Sequence, residues 1–392
     1  MSRAEPHRRE HADVIVVGGG PAGSATALRL ARAGRHVVQI ERRIWGTPGN
    51  DWLRSGEGML PATLAVLRRL DPAISTSGWA LGRAGRVRVR WPNGAVTEDH
   101  LPAGRSIMTL DRECFDRTLW HAAVAAGVDG RCGWNAGRLL MEEQQVIGLE
   151  ATAPDGMPVI LEAPLVVDAG GRNAPSVRQL GLRRPEHGAD FMVVVLFFDA
   201  VPELAPDMWE LHFVRHAAPA VVQGAHICDG VARFGLGADF RLKQDSRLRP
   251  EEFFWRCIAD DPELTARLRA ARQIRSPYAR ARLGYRVSRI AHGGLLLVGD
   301  AAGYLSPILG DGILMALRSA EVAAMVAEGA FAGGGFGPAY LHLYERRWRA
   351  ARRVREWTGR AIIGTYRHPR LIDQLGRSAI VRRAAFTALA RP

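Results

Sequence analysis

The chain has 392 residues, of which 47% are hydrophobic and 24% charged. That length suits two domains, and that balance excludes a disordered chain, a collagen or a disulfide-dense mini-protein. The formal net charge of +13 raises nucleic-acid binding, but residues 346–392 hold 13 arginines against Glu356 and Asp373, a net of +11, which leaves +2 for residues 1–345.

Residues 1–11 read as a mobile N-terminal arm. Asp13 to Val17 is a β-branched run, the mark of a buried strand. Gly18-Gly19-Gly20-Pro21-Ala22-Gly23 follows and fits GxGxxG. Ala22 to Ala33 reads as a helix ending at Gly34, and His36 to Ile40 as a second strand closed by Glu41. In such a unit Gly18 permits the tight turn, Gly20 lets backbone approach a pyrophosphate, and Gly23 lets the helix pack on the strand. The helix N-terminus attracts phosphates. Glu41 stands 23 residues after Gly18, where an acid accepts hydrogen bonds from a ribose. The pattern predicts an adenine dinucleotide site without choosing NAD or FAD.

Arg86 to Trp91 and Ala95 to Asp99 read as a hairpin around Pro92-Asn93-Gly94, within an insertion at about 80–105. Arg138 to Glu162 reads as paired strands around Pro154-Asp155-Gly156. Phe191–Ala200, Leu211–Val214, Ala220–Ile227 and Val231–Ala238 predict a mostly antiparallel sheet across 185–285. Leu295 to Val298 is a further apolar strand that runs into Gly299-Asp300-Ala301-Ala302-Gly303. A helix follows from Leu314 to about Gly329. Asp300 therefore sits at a strand's carboxyl end, where open α/β sheets bind ligands. Gly333-Gly334-Gly335 reads as a linker, and no second GxGxxG follows a strand. From Arg346 the chain reads as basic helices.

The motifs together resemble the FAD-dependent monooxygenase superfamily, which includes aromatic hydroxylases, geranylgeranyl reductases and flavin-dependent halogenases. The resemblance spans roughly 12–345 and rests on GGGPAG with Glu41-Arg42, then GDAAG and the Ser306–Ile313 segment. Arg54-Ser55-Gly56-Glu57 resembles the family's Gly-Glu segment near the flavin. Asp111-Arg112 with Phe115-Asp116 and Leu119 resembles its helix whose arginine faces the cofactor. Leu165 to Gly171 resembles its Asp-Gly segment, with Ala169 where glycine is commoner. Gly303, where many aromatic hydroxylases carry histidine, is similar to the halogenase and reductase branch.

The resemblance implies an α/β fold. A discontinuous Rossmann-type FAD domain (12–184 and 286–345) would enclose a substrate-domain sheet (185–285), with helices at 346–392. It implies FAD held by Gly18, Gly20, Gly23, Glu41, Arg42, Arg112, Asp168, Gly299, Asp300, Pro307, Gly310 and Gly312. The flavin would be reduced by NAD(P)H directly or by a partner flavin reductase. Halogenation is disfavoured, because Pro61 to Gly104 has no lysine and Val221–Cys228 lacks the halogenases' tryptophan motif. The related aromatic-proline segment of the reductases is missing too.

The expected function is therefore an FAD-dependent monooxygenase acting through a flavin hydroperoxide on an aromatic or specialised-metabolite substrate, including a tryptophan or a carrier- or peptide-bound one. An ene-reductase of the geranylgeranyl reductase type, a halogenase and a non-catalytic flavin scaffold are the alternatives. Glu57, His212 and His226 are the candidate catalytic residues, and no metal is expected. O2 and a small-molecule or carrier-bound substrate are the expected partners. The basic tail reads as a solvated helix packed on the FAD domain, with a docking surface for an acidic carrier, a peptide or a membrane surface as the alternative, and nucleic acid is disfavoured because the tail carries no nucleic-acid motif. Four cysteines without CxxC spacing imply reduced thiols and a cytoplasmic setting, and no apolar run is long enough to span a membrane.

Overall fold

The runs Val14–Val17, Val37–Glu41, Leu165–Asp168 and Leu295–Leu297 are buried throughout, as a parallel sheet covered on both faces requires. In the computed structural model, which describes residues 8–46, 57–76, 78–185, 191–228, 230–281, 283–303 and 311–390, they form the centre of a six-stranded sheet. Its order is Ala291–His292, Leu295–Leu297, Leu165–Asp168, Val14–Val17, Val37–Glu41, Asp129–Cys132. All pairings are parallel except the Ala291–His292 edge. Helix Pro21–Arg32 packs against helices Arg112–Ala125 and Gly312–Gly329.

A second sheet has eight strands. Its main path runs Arg272–Gln273, Phe191–Asp199, Val231–Asp239, Ala220–Cys228, Met208–Val214, Arg86–Arg90, Val96–His100. Side chains alternate across it. Val194, Leu196, Phe198, Val222, Phe234 and Leu236 point to one face, against Phe253, Phe254, Ile258, Leu264 and Leu268. Those partners lie on helices Pro250–Ile258 and Pro262–Ala270, which the sequence reading folded into a sheet domain. Their signals were local: a proline at the first helical turn of each, and the Asp261 carboxylate accepting from the Leu264 N–H at 3.0 Å.

Three expectations about organisation are corrected. Arg8–His11 is a strand paired in parallel with Pro158–Glu162, so the described end of the arm is held in a ladder. The hairpin near 80–105 joins the substrate sheet, because Arg86–Arg90 pairs in parallel with Met208–Val214. The boundary placed at 346 falls inside one continuous helix, Pro338–Tyr366. Tyr344 and Trp348 on that helix are fully buried, and the Tyr344 hydroxyl donates to the Leu297 carbonyl at 2.8 Å.

The C-terminal segment also reaches the substrate sheet. The Tyr366 ring meets Phe213 edge-on at 4.9 Å, and Phe213 stacks on Trp91 at 5.6 Å. Arg382 donates to Asp99 at 2.7 Å, and Asp373 accepts from the Asn93 N–H at 2.9 Å. Among the described residues no helix is long and apolar enough to cross a membrane. The four cysteines carry free thiols.

Candidate active site

The GxGxxG turn divides its glycines by task. Gly18 has φ of +102°, and a Cβ there would lie 2.6 Å from the Ala169 carbonyl oxygen. A Cβ on Gly23 would lie 2.0 Å from the Gly18 carbonyl oxygen, inside contact distance. Gly20 differs: a Cβ would meet nothing within 4 Å, and the residue lines a cavity. Two glycines are thus required by the fold, and the third keeps space open beside the helix N-terminus.

That cavity is about 930 Å3 and runs between the two sheets. At one end lie Gly18, Gly20, Glu41, Arg42, Gly170, Gly299, Asp300 and Gly312. Glu41 accepts from the Gly19 N–H at 2.5 Å and from the Arg43 Nε at 3.0 Å. Arg43 in turn donates to Asp116 at 3.2 Å, Asp116 accepts from Arg112 Nε at 2.7 Å, and Arg112 Nη1 donates to Glu57 at 3.0 Å. This relay ties the second strand to the start of helix Arg112–Ala125 and the strand Glu57–Met59. Burial pushes the Arg112 pKa down, but Asp116 and Glu57 outweigh it and hold the guanidinium firmly charged. Arg43 was missed in the sequence reading, which stopped at the neighbouring Arg42. Arg42 is exposed and lines the cavity beside Glu41.

Other expected residues fall elsewhere. Asp168 is buried with its carboxylate turned into its own loop, where it accepts from the Gly170 N–H at 2.8 Å, the Ser176 N–H at 3.0 Å and the Ser176 hydroxyl. Burial raises its pKa above the usual value. It shapes the turn, while Ala169 and Gly170 face the cavity. His212 and His226 are corrected as pocket residues. Strand alternation sends Trp209, Leu211, Val221 and Gln223 into the cavity, and the even-numbered positions to the opposite face. His212 is buried there between Asp261 (2.9 Å) and Glu210 (3.3 Å). The His226 Nε2 lies 2.7 Å from the Leu204 carbonyl oxygen. Pro307 and Gly310 lie outside the described residues.

The far end of the cavity is walled by Val193, Val195, Trp209, Leu211, Val221 and Tyr366, with Gln223, Arg233, Tyr278 and Arg280 as its polar groups. None of those four polar residues was singled out from the sequence. Trp209 joins the two halves, since a Cβ on Gly58 would lie 2.4 Å from its indole.

The sequence profile of the FAD binding domain matches residues 11–357. The chain belongs to the FAD-binding-domain family. Its fold is that of FAD-dependent oxidoreductases, and the residues of the first cavity end fit the cofactor: an open Gly20 at a helix start, with carboxylates at Glu41 and Asp300 lining the same space. A family relative, digeranylgeranylglycerophospholipid reductase 2 of Methanothermobacter thermautotrophicus, is 29% identical over 86% of this chain and 83% of its own length. The 1H-pyrrole-2-carbonyl-[peptidyl-carrier protein] chlorinase of Pseudomonas fluorescens is 26% identical over 79% of this chain and 74% of its own. Among solved structures, a geranylgeranyl bacteriochlorophyll reductase-like protein from Thermoplasma acidophilum superposes with a TM-score of 0.81 at 23% identity, covering 94% of this chain and 91% of the other. A flavin-dependent brominase gives 0.79 at 19% identity, covering 97% and 94%. These two likenesses concern the fold.

Proposed function

We propose that this protein is an FAD-dependent reductase of carbon–carbon double bonds in an apolar, isoprenoid-like substrate. One observation carries the reading: a single cavity joins the dinucleotide cradle to an aliphatic face of the substrate sheet. The reductase relatives support it and move the weight away from the hydroxylase expected from sequence. Halogenation has less support, because the sequence lacks the lysine of that chemistry after the Gly-Glu segment.

Bound FAD, once reduced, would supply the hydride. The chain's own residues would do the rest. Gly20 and the helix start at Pro21 would take the pyrophosphate, Glu41 the adenosine ribose, and Asp300 the ribityl chain. The Glu57–Arg112–Asp116 relay would fix the ring end of the site. Val193, Val195, Leu211 and Val221 would hold the substrate and exclude water. Saturation of a double bond also needs a proton, and Tyr278 is a lining hydroxyl of the substrate sheet able to hold one. Its oxygen accepts from Arg280 Nε. Electrons would come from NAD(P)H docking at the open cavity or from a partner reductase.

The test is product analysis after turnover of FAD-loaded protein with a polyprenyl substrate and NADPH or a chemical reductant of the flavin. A mass gain of two hydrogens per bond, equal with and without O2, is expected. Gain of an oxygen atom, only in air, would establish the hydroxylase instead. Protein that stays colourless and takes up no added FAD would remove both readings.

A further inference from the structure

Strand Val231–Asp239 presents Arg233, Gly235 and Gly237 along its cavity face. Two glycines in a row on the buried side of a central strand weaken packing, and here they leave room above the sheet. The Arg233 guanidinium lies over one of them: a Cβ on Gly235 would stand 3.1 Å from an Nη atom. The neighbouring strand pairs Gln223 with Gly235, so Gln223 is the diagonal cross-strand neighbour of Arg233 on the same face. On the other side Tyr278 pairs with Val195 and Arg280 with Val193, which brings a second guanidinium to that edge.

Neither arginine has a carboxylate partner among the described residues. No hydrogen bond or ion pair joins Arg233 to another described side chain, and its pKa is lowered by burial, offset only in part by Glu57 and Tyr278. Glu57 is already bonded to Arg112. Among the described residues, Arg280 donates to the Tyr278 hydroxyl and lies against its ring. Elsewhere in the chain, buried arginines meet carboxylates, as Arg267 does Glu210 and Arg355 does Asp311. A buried cation without a counter-ion costs stability unless a ligand supplies the charge.

We infer that Arg233, with Arg280 and Gln223, forms an anion subsite that receives a carboxylate or phosphate group of the substrate. The substrate is then an amphiphilic anion, with its unsaturated apolar part against Val193, Val195, Leu211 and Val221 and its acidic group on the arginines. This rests on the flavin-site reading above, but binding is measured without turnover, so the two can fail separately.

Oxidised FAD-loaded protein would be titrated with geranyl phosphate, geranic acid and geraniol, followed by perturbation of the flavin spectrum. At least one of the two anions should bind about tenfold more tightly than geraniol, equivalent to about 1.4 kcal/mol. Which anion binds better identifies phosphate or carboxylate as the acidic group. Arg233→Gln should abolish the preference and Arg233→Lys retain part of it, with FAD affinity of both variants near that of the parent and the thermal stability of Arg233→Gln at or above it. Equal binding of geraniol, no binding by either anion, or an unchanged preference in Arg233→Gln would overturn the proposal. So would a matching loss of FAD affinity in that variant, which would assign the guanidinium to the cofactor.

Discussion

At the scale of single residues, the glycines of the first turn make the sharpest distinction. Gly23→Ala forces a methyl group to within 2.0 Å of a backbone oxygen, and neither partner can move without shifting the strand or the helix. Gly20→Ala meets no protein atom, and its backbone angles, φ −78° and ψ −177°, suit any residue. Gly23→Ala should therefore lower thermal stability and solubility, whereas Gly20→Ala should unfold like the parent yet bind FAD at least about tenfold more weakly. Thermal denaturation and flavin titration of both variants check this. A Gly20→Ala protein with parental FAD affinity would mean that the pyrophosphate lies elsewhere. The turn role of Gly18 and the packing role of Gly23 were legible in sequence because the motif's spacing encodes them. Asp168 shows the limit. The family resemblance marked it for the cofactor, but a strand-end carboxylate can equally serve its own turn, and only the bonds to Gly170 and Ser176 decide which.

At the scale of elements, two joints carry testable weight. The first is beneath the substrate sheet, where His212 sits between Asp261 and Glu210, and Arg267 donates to Glu210 at 3.2 Å. Burial pushes the His212 pKa down, but the two carboxylates prevail and raise it above 6.5. A raised folded-state value means that the stabilisation is complete below about 6.5 and is lost as pH rises through the folded value. The stability difference between the parent and His212→Gln should thus be largest in mild acid and shrink toward alkaline pH, measured by urea denaturation. A difference that grows with pH would contradict the pairing. The partners' pKa values are lowered although burial opposes it, so their share is lost only in stronger acid.

The second joint is the ion pair between Arg355 and Asp311, 2.5 Å apart, with the Asp311 side chain wholly buried just before the helix start at Gly312. Arg355→Met leaves that carboxylate uncompensated and should cost roughly 3–5 kcal/mol. The double variant Arg355→Met/Asp311→Asn should recover part of the loss. Equal thermal stability of the parent and Arg355→Met would show that the pair is dispensable. This joint could not be foreseen. The tail read as a basic appendage because charge was counted along the chain, while two of its arginines find their acids in distant segments: Asp311 for Arg355, Asp99 for Arg382.

At the scale of the whole molecule, the two largest sheets face each other across a cavity, with helices outside both and a C-terminal helical segment touching both. Three strands of the parallel sheet, at 13–17, 36–40 and 295–298, were readable as short, mostly apolar runs, whereas the edge strands Asp129–Cys132 and Ala291–His292 carry no such run and were not read. The second sheet was readable as strands, but not which side of each faced the cavity. Strand alternation makes that a matter of register, and register is set by partners remote in sequence. His212 and His226 were misplaced for that reason, and Arg233 was overlooked for the same one. The spacing Arg233-x-Gly235-x-Gly237 was the available signal: a charge followed by two missing side chains on one face.

The central claim is that this cavity reduces a double bond using electrons held on FAD. The most direct measurement is anaerobic rapid mixing of the reduced, FAD-loaded protein with an unsaturated prenyl substrate, followed by flavin absorbance. The oxidised flavin spectrum should return without O2, at a rate that rises with substrate concentration. Return of that spectrum only when O2 is admitted would contradict the claim.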